Sequence, residues 1–454
     1  LGNPSVPAPS IVNETIVQKV NTLDPLALHG YSPSFGIMET REKIAAFLNK
    51  KYGSSYKASN IFMAIGAAGA LAHAFRAVTN PGDEIITFAP CFSEYKPYTA
   101  GAGLKLTIIP ADIDTFQINF AAFEAQLNEN TTAVLINSPN NPSGIVYSTE
   151  TIKKLADILT EKSKEFGHPI YLISDEPYRD IIFEGVDAPY VANYYKNTLT
   201  CYSFSKSISL PGERIGYLAV HPDCIEADKI IEICPQISRT IGQNGAASLM
   251  QRTVADVCNY TSDLSVYETN KKILFEALKE YGYHCVEPGG TFYMFPRTLI
   301  DDDIAFCEKA KLDHNLLIVP GTGFGCPGHA RISYCVPTEQ VERSNGEGGE
   351  GTSDISGTSG GIFIIYYKTD DPIAEKSPVS ANNQSQLKTT IAKDSPAILH
   401  LPFPETPQTL LLVMVWNSNI PECNHSRSVL RSLPVLPFLL LLQQSLYLSH
   451  VPFR

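Results

Sequence analysis

The chain has 454 residues, which is too long for one small hydrophobic core and predicts two or three domains. Its net charge of -12 at pH 7 argues against a general nucleic-acid binder, because such proteins usually carry an excess of basic residues. The ten cysteines form no Cys-x-x-Cys pair and no short Cys/His cluster. We therefore predict no metal site, and we interpret the cysteines as reduced thiols of a cytoplasmic protein.

The first part of the chain is predicted to be an α/β layered domain. Turn signals dominate residues 1–36, and an amphipathic helix is predicted over 38–51. Helices are then predicted over 70–78, 120–127 and 150–165. They alternate with seven short apolar strands, at 61–65, 84–88, 104–109, 132–136, 170–174, 197–204 and 215–220. Such alternation predicts a mostly parallel sheet.

The character of the chain changes twice after this region. Helical patterns dominate 222–282, and short strands at 291–295, 316–319 and 330–335 with a helix at 301–312 predict a smaller α+β unit. Residues 345–361 are rich in Gly, Ser and Glu, which is typical of a flexible linker. The apolar run at 433–448 is short and contains prolines, so we expect no membrane span.

One stretch organises the predicted chemistry: Cys-Tyr-Ser-Phe-Ser-Lys-Ser at 201–207, with Arg214 eight residues after Lys206. A lysine held at the end of a strand can form a Schiff base with an aldehyde cofactor. Ser203 and Arg214 are placed to hold the phosphate of that cofactor. The alternative is an exposed lysine and arginine on a serine-rich loop.

Two turns that follow predicted strands have spacing typical of ligand sites. Residues 65–71 (Ile-Gly-Ala-Ala-Gly-Ala-Leu) place small residues at a helix N-terminus, where backbone N–H groups can approach an anion. Helix–sheet packing is the alternative. Residues 137–144 (Asn-Ser-Pro-Asn-Asn-Pro-Ser-Gly) form a turn at the carboxyl end of a strand, where α/β sheets bind ligands.

Three further residues have both a functional and a structural interpretation. Asp175 can lie beside a pyridine nitrogen and keep it protonated, or can cap the helix that Pro177 would begin. Phe92 can stack on a flat ring or belong to the core. Arg331, within an apolar strand, can bind a substrate carboxylate or form a structural salt bridge.

As an ordered set, these motifs over residues 1 to about 344 resemble the class I/II aminotransferases of the aspartate aminotransferase superfamily. The resemblance implies fold type I, with a three-layer large domain around a mostly parallel sheet and a smaller α+β domain. It also implies pyridoxal 5'-phosphate as cofactor, amino acid and 2-oxo acid substrates, and a homodimer. We expect no nucleic-acid or membrane partner.

The resemblance assigns roles to individual residues. Lys206 is the implied Schiff-base lysine and proton carrier, and Asp175 is the partner of the pyridine nitrogen. Asn141 and Tyr178 are implied to hydrogen-bond the phenolic oxygen of the ring. The other implied cofactor contacts are Ala67, Ala68, Phe92, Ser203 and Arg214, with Tyr31 lent to the phosphate of the neighbouring subunit. The implied substrate contacts are Gly2, Asn141 and Arg331.

The resemblance also divides the chain. Residues 1–30 would belong to the small domain, 31–265 to the large domain and 266–344 to the rest of the small domain. Relatives normally begin earlier than this chain and continue with a final helix after 344. Because 345–454 matches nothing in that pattern, our hypothesis is a non-family tail from read-through, an intron, a frame shift or a gene-model artefact. A membrane- or partner-binding extension is the rival interpretation.

An aminotransferase is thus the predicted function. A C–S β-lyase or a cyclopropane-forming synthase on the same scaffold is the enzymatic alternative, because the cofactor supplies the chemistry in each case. A cofactor-binding regulator and a truncated product with little activity are the others. Arg239 is a candidate for binding a second substrate carboxylate, with a surface arginine as the alternative.

Overall fold

The strands of the main sheet carry apolar side chains on both faces, so helices can pack on each side. We describe residues 2–344, from a computed structural model of the chain. Ten strands lie in this part of it: β1 (Ile61–Ala64), β2 (Glu84–Phe88), β3 (Lys105–Ile109), β4 (Thr131–Asn137), β5 (Tyr171–Asp175), β6 (Thr198–Ser203), β7 (Gly216–Val220), β8 (Tyr293–Met294), β9 (Val319–Pro320) and β10 (Ala330–Ser333).

The same residues form thirteen α-helices. They are α1 (Ser10–Thr22), α2 (Pro25–His29), α3 (Met38–Tyr52), α4 (Gly66–Val78), α5 (Tyr95–Ala100), α6 (Phe120–Gln126), α7 (Thr149–Phe166), α8 (Phe204–Ser207), α9 (Ala227–Thr240), α10 (Ser248–Val257), α11 (Ser265–Glu280), α12 (Asp303–His314) and α13 (Thr338–Ser344).

The main sheet has seven strands in the order β1-β7-β6-β5-β4-β2-β3. The pairs β2–β3, β2–β4, β4–β5 and β5–β6 are parallel, whereas β7 runs antiparallel to both of its neighbours. The predicted α/β class and mostly parallel sheet are therefore confirmed. Parallel neighbours end at the same edge, so the turns after β4, β5 and β6 meet there.

Helices cover both faces of this sheet. Ile85 of β2 packs with the core under α4 and α9, whereas Ile86 packs with the core under α7. Successive side chains of a strand point to opposite faces, which explains how one strand serves both cores. A third core lies under α3 and α10 and includes Met63 of β1. The result is a three-layer arrangement of helices, sheet and helices.

The three-stranded sheet, in the order β8-β10-β9, is antiparallel. Ile332 of β10 and Leu274 of α11 share its core with Val6 from the beginning of the chain. Val12 of α1, in contrast, packs with α3 and α10. The predicted domain boundaries at residues 30, 265 and 344 stay a prediction.

The prediction of turns throughout residues 1–36 was wrong, because α1 and α2 lie there. Pro9 precedes the first turn of α1, and the buried residues Val12 and Thr15 lie three positions apart on one side of it. Helix α4 also begins at Gly66, four residues before the predicted start. The linker and tail predicted for 345–454 lie outside the described residues. Within the described part, no helix is long and apolar enough to span a bilayer.

Candidate active site

A cavity of about 430 Å³ opens where the parallel strands of the main sheet end, and it reaches β9 and β10 of the small sheet. Asp175 is the last residue of β5 and Ser203 the last of β6. Eleven of the predicted site residues line this cavity: Gly2, Ala67, Ala68, Phe92, Asn141, Asp175, Tyr178, Ser203, Lys206, Arg214 and Arg331. The fold thus gathers groups that are up to 329 positions apart in sequence.

One end of the cavity is suited to an anion. Helix α4 begins at Gly66, which has φ +68°. A Cβ atom at that position would lie 3.1 Å from Nη2 of Arg214 and 3.5 Å from Oγ of Ser203. The absence of a side chain therefore lets the helix start approach both polar groups. Free backbone N–H groups, a hydroxyl and a guanidinium together form a phosphate-sized cradle.

Lys206 lies on the short helix α8, directly after β6. Ser203 caps this helix, since its hydroxyl accepts a hydrogen bond from the backbone N–H of Ser205. The Lys206 Nζ donates to the backbone oxygen of Gly2 at 2.6 Å. Burial, with the nearby charges of Arg214 and Arg331, lowers the pKa of Lys206 to about 8. About a tenth of the amine is therefore uncharged at pH 7, far more than for an ordinary lysine.

Asp175 is buried and only half satisfied. Its Oδ2 accepts a hydrogen bond from the Tyr95 hydroxyl at 2.6 Å, and its Oδ1 has no partner among the described residues. Burial raises the pKa of Asp175 to about 7, although the bond from Tyr95 opposes that rise. Such a buried, unpaired carboxylate oxygen is costly unless a ligand pairs with it. It fits a cationic ring nitrogen.

Arg331, on β10 of the small sheet, lines another wall of the cavity. Its Nη1 donates to Oδ1 of Asn141 at 2.9 Å, and its guanidinium lies 4.6 Å from the centre of the Tyr293 ring and 5.0 Å from that of Phe324. Arg331 Nε is buried and has no partner within residues 2–344. The hydroxyls of Tyr293 and Tyr178 are 3.2 Å apart. The guanidinium is thus fixed by contacts that leave donors free for a carboxylate.

Comparison with known proteins decides the family. The profile described as "Aminotransferase class I and II" matches residues 2–344. The chain belongs to this family. Aspartate aminotransferase of Thermotoga maritima is 31% identical over 345 residues, which are 75% of this chain and 87% of the relative. The aspartate/prephenate aminotransferase of Thermus thermophilus is 28% identical over 69% of this chain and 81% of its own length.

Solved structures of aminotransferases share the fold. The aminotransferase of Eubacterium rectale is 50% identical with a TM-score of 0.75, over 76% of this chain and 87% of that one. The predicted fold type and the predicted aminotransferase activity are therefore confirmed. The chain is an enzyme that moves an amino group between an amino acid and a 2-oxo acid.

Two residues for which the sequence suggested a role in this aminotransferase, Tyr31 and Arg239, do not line the cavity. Tyr31 is fully exposed and does not line it. Arg239 is exposed at the end of α9, where its Nη1 donates to Gln236 Oε1, as the surface-arginine alternative predicts. Phe92 lines the cavity, and its ring meets Tyr95 edge-on at 5.6 Å. Its stacking role stays a prediction, as do the individual roles of the other site residues.

The sequence reasoning missed Tyr95 and Tyr293. Tyr95 lies three residues after Phe92, at the start of a six-residue helix that no periodic pattern announces. The run Gly-Gly-Thr-Phe-Tyr at 289–293 ends at Tyr293, which lies in the predicted strand 291–295 without a predicted chemical role. Two glycines before adjacent aromatic residues were the available signal, since glycine often marks close backbone approach to a ligand.

Proposed function

We propose that this aminotransferase uses pyridoxal 5'-phosphate, linked covalently through Lys206, to exchange amino groups between an L-amino acid and a 2-oxo acid. The observation that carries the proposal is the buried Asp175 Oδ1, which has no partner in the described part of the chain and shares one cavity with the buried amine of Lys206. When bound, this cofactor supplies an aldehyde carbon for amines and a protonated ring that withdraws electrons.

The residues of the cavity match the parts of the cofactor. Asp175 would pair with the ring nitrogen and stabilise its protonated form. The α4 start, with Ala67, Ala68, Ser203 and Arg214, would hold the phosphate. Phe92 would cover the ring, and Asn141 and Tyr178 would donate to its phenolic oxygen.

Two residues would act on the substrate. The uncharged Lys206 amine is a nucleophile, and once displaced it would take a proton from the substrate's α-carbon and deliver it to the carbon of the cofactor's former aldehyde group. Arg331 would bind the α-carboxylate through two parallel N–H···O bonds, beside the backbone of Gly2. The hydrogen bond from Arg331 to Asn141 orients the guanidinium for that contact.

We also propose that the enzyme is a homodimer. The fully exposed Tyr31 would reach the phosphate of the neighbouring subunit, which agrees with its position outside its own cavity. Cross-linking or sedimentation would give the oligomeric state, and a Tyr31→Phe variant should bind the cofactor more weakly. A cytoplasmic location stays a prediction.

The first experiment adds pyridoxal 5'-phosphate to the purified full chain and follows its absorbance. We expect a visible band that borohydride removes, with the reduced adduct on the peptide containing Lys206. Lys206→Ala should lose both, whereas Lys229→Ala, an exposed control, should keep them. A permanent label on another lysine would contradict the assignment.

The second experiment identifies the reaction and substrates. Aspartate, alanine and aromatic amino acids are tested with 2-oxoglutarate while 2-oxo acid formation is measured. Amino transfer to 2-oxoglutarate supports the proposal. Release of ammonia and pyruvate without transfer would instead indicate β-elimination.

A further inference from the structure

Tyr95 makes the hydrogen bond that decides which oxygen of Asp175 stays free. Its hydroxyl donates to Oδ2 at 2.6 Å, and both side chains are buried. Tyr95 is the first residue of α5 and does not line the cavity, whereas Asp175 does. The carboxylate therefore has one oxygen bound to the protein and one without a partner in the described structure.

We propose that the Tyr95 hydroxyl keeps Asp175 anionic and turns its Oδ1 toward the cofactor ring, so that Tyr95 is a positioning residue for the reaction. This inference rests on the proposed function in its last step, the contact with the ring. Its first step, the effect of the hydroxyl on the carboxyl group, concerns this chain alone.

The surroundings of Asp175 make this donor necessary. Burial disfavours the anion, and the neighbouring carboxylate of Glu176 disfavours it further. Other ionisable groups close to Asp175 are Tyr98 on α5, Cys201 on β6 and Tyr178. None of these is positively charged. The bond from Tyr95 is the interaction that lowers the pKa of Asp175 against burial.

Tyr95 remains a donor at every pH at which the enzyme would work. Burial and the nearby Asp175 raise the pKa of the Tyr95 hydroxyl well above its ordinary value. The proton of this bond thus stays on Tyr95, whose hydroxyl donates to the anionic form of Asp175 and so favours that form. Because the ring of Tyr95 also packs in the core, its hydroxyl has to be tested apart from its ring.

The test compares Tyr95→Phe with wild type and Tyr147→Phe, which removes another buried hydroxyl near Tyr95. In the cofactor-free full chain, carboxyl ¹³C NMR follows the titration of Asp175, assigned by its loss in Asp175→Asn. We expect Tyr95→Phe to raise the pKa of Asp175 above the wild-type value and Tyr147→Phe to leave it unchanged. An unchanged pKa in both variants overturns the inference.

The second readout uses pyridoxal 5'-phosphate labelled with ¹⁵N in the ring. In wild type the ¹⁵N shift should be that of a protonated nitrogen. In Tyr95→Phe it should move toward the unprotonated value, with about tenfold or greater loss of cofactor affinity, since hydrogen bonds to charged groups have such effects. A wild-type shift and affinity in Tyr95→Phe overturn the inference.

A double variant separates this role from a packing role. In Asp175→Asn the anion is already gone, so adding Tyr95→Phe should produce no further change in the ¹⁵N shift. If Tyr95→Phe changed the ¹⁵N shift equally in wild type and in Asp175→Asn, the inference would be overturned. The effect would then arise from altered packing around Tyr95 and not from its bond to Asp175. If wild type binds no cofactor but Tyr95→Phe still raises the pKa of Asp175, the proposed function fails and the effect on the carboxyl group stands.

Discussion

Two buried clusters of charged residues begin at consecutive positions, Asp175 and Glu176, and they differ in how completely their charges are paired. Asp175 faces the cavity, and no described residue is a hydrogen-bond partner of its Oδ1. Glu176 accepts hydrogen bonds at both oxygens, from the Ser174 hydroxyl and from Arg179 Nη1. Because adjacent residues at a strand end point to opposite sides, one carboxylate joins the site and the other joins the protein interior.

We call the second group the arginine–tyrosine cluster: Glu176, Arg179, Asp180, Tyr202 and Tyr217. The Arg179 guanidinium lies 4.2 Å from the centre of the Tyr202 ring, and its Nη2 donates to the Tyr217 hydroxyl at 2.8 Å. Lys51 and the Tyr202 hydroxyl donate to the two oxygens of Asp180. Burial alone would raise the pKa of Asp180, but Arg179 and Lys51 lower it.

The comparison separates structural charge from functional charge. In the arginine–tyrosine cluster every carboxylate oxygen has a donor, so the negative charges are compensated within the chain. In the cavity, Oδ1 of Asp175 has no hydrogen-bond donor among the described residues, and the cations Arg214 and Arg331 line the cavity. Uncompensated buried charge is unfavourable in the free protein and becomes favourable when a ligand of opposite charge binds.

The largest expected effect is on stability. Arg179→Met removes the cation that pairs with Glu176 and leaves that buried carboxylate without a positive partner. We expect the free energy of unfolding to fall by about 3–5 kcal/mol, measured by urea denaturation. Lys311→Met, at an exposed pair with Glu308, should change it far less. Equal stability of the two variants would show that the cluster is not needed for the fold.

The next effect is on catalysis and compares the two carboxylates directly. Asp175→Asn should lower kcat/KM by about 10²- to 10³-fold, or roughly 2.7–4 kcal/mol, because preorganised charge beside the reacting group is lost. Glu176→Gln should cost stability and leave the cofactor absorbance and kcat/KM of the folded enzyme nearly unchanged. If both variants lost activity equally, the distinction between the clusters would be wrong.

A smaller effect is expected for substrate binding at Arg331. Arg331→Lys replaces a planar fork by a single ammonium group, so it should raise KM for amino acids by about 10- to 100-fold. The diagnostic measurement compares each amino acid with the corresponding amine that lacks the carboxylate. The variant should discriminate less between them than wild type. Undiminished discrimination would exclude Arg331 as the carboxylate-binding residue.

The sequence predicts the strand-end side chains well. Asp175, Ser203 and Lys206 follow apolar runs, and parallel strands bring their ends to one edge of a sheet. Seven predicted strands correspond to β1–β7, and each strand end lies within about one residue of its predicted position. The local signal is strong there because hydrophobic pattern and turn residues agree.

Residues whose position depends on tertiary packing were harder to predict. Tyr95 reaches Asp175 from 80 positions away, and α1 forms because one side of it packs on α10 and α3. The sequence also gave no sign that Asp175 and Glu176 would separate into two clusters. That separation depends on Arg179 and Lys51 lying on one side of the sheet only, which is a property of the folded chain.

The smallest expected effect is the pH dependence of Lys206, whose pKa burial lowers to about 8. The amine reacts only when uncharged, so its reactivity should rise about tenfold per pH unit below 8 and level off above it. Competitive reductive methylation of the cofactor-free protein, read by mass spectrometry of the Lys206 peptide, measures this profile. Peptides with exposed lysines provide the internal comparison, since an ordinary lysine has a pKa of about 10.4.

Removing a neighbouring cation tests the cause of this shift. The charge of Arg331 contributes to the lowered pKa of Lys206, so Arg331→Gln should move the levelling-off point to higher pH. Arg297→Gln, a change at an exposed arginine that does not line the cavity, should leave the profile as in wild type. A Lys206 profile that rises to pH 10 like that of exposed lysines would show that the cavity does not prepare this amine for reaction.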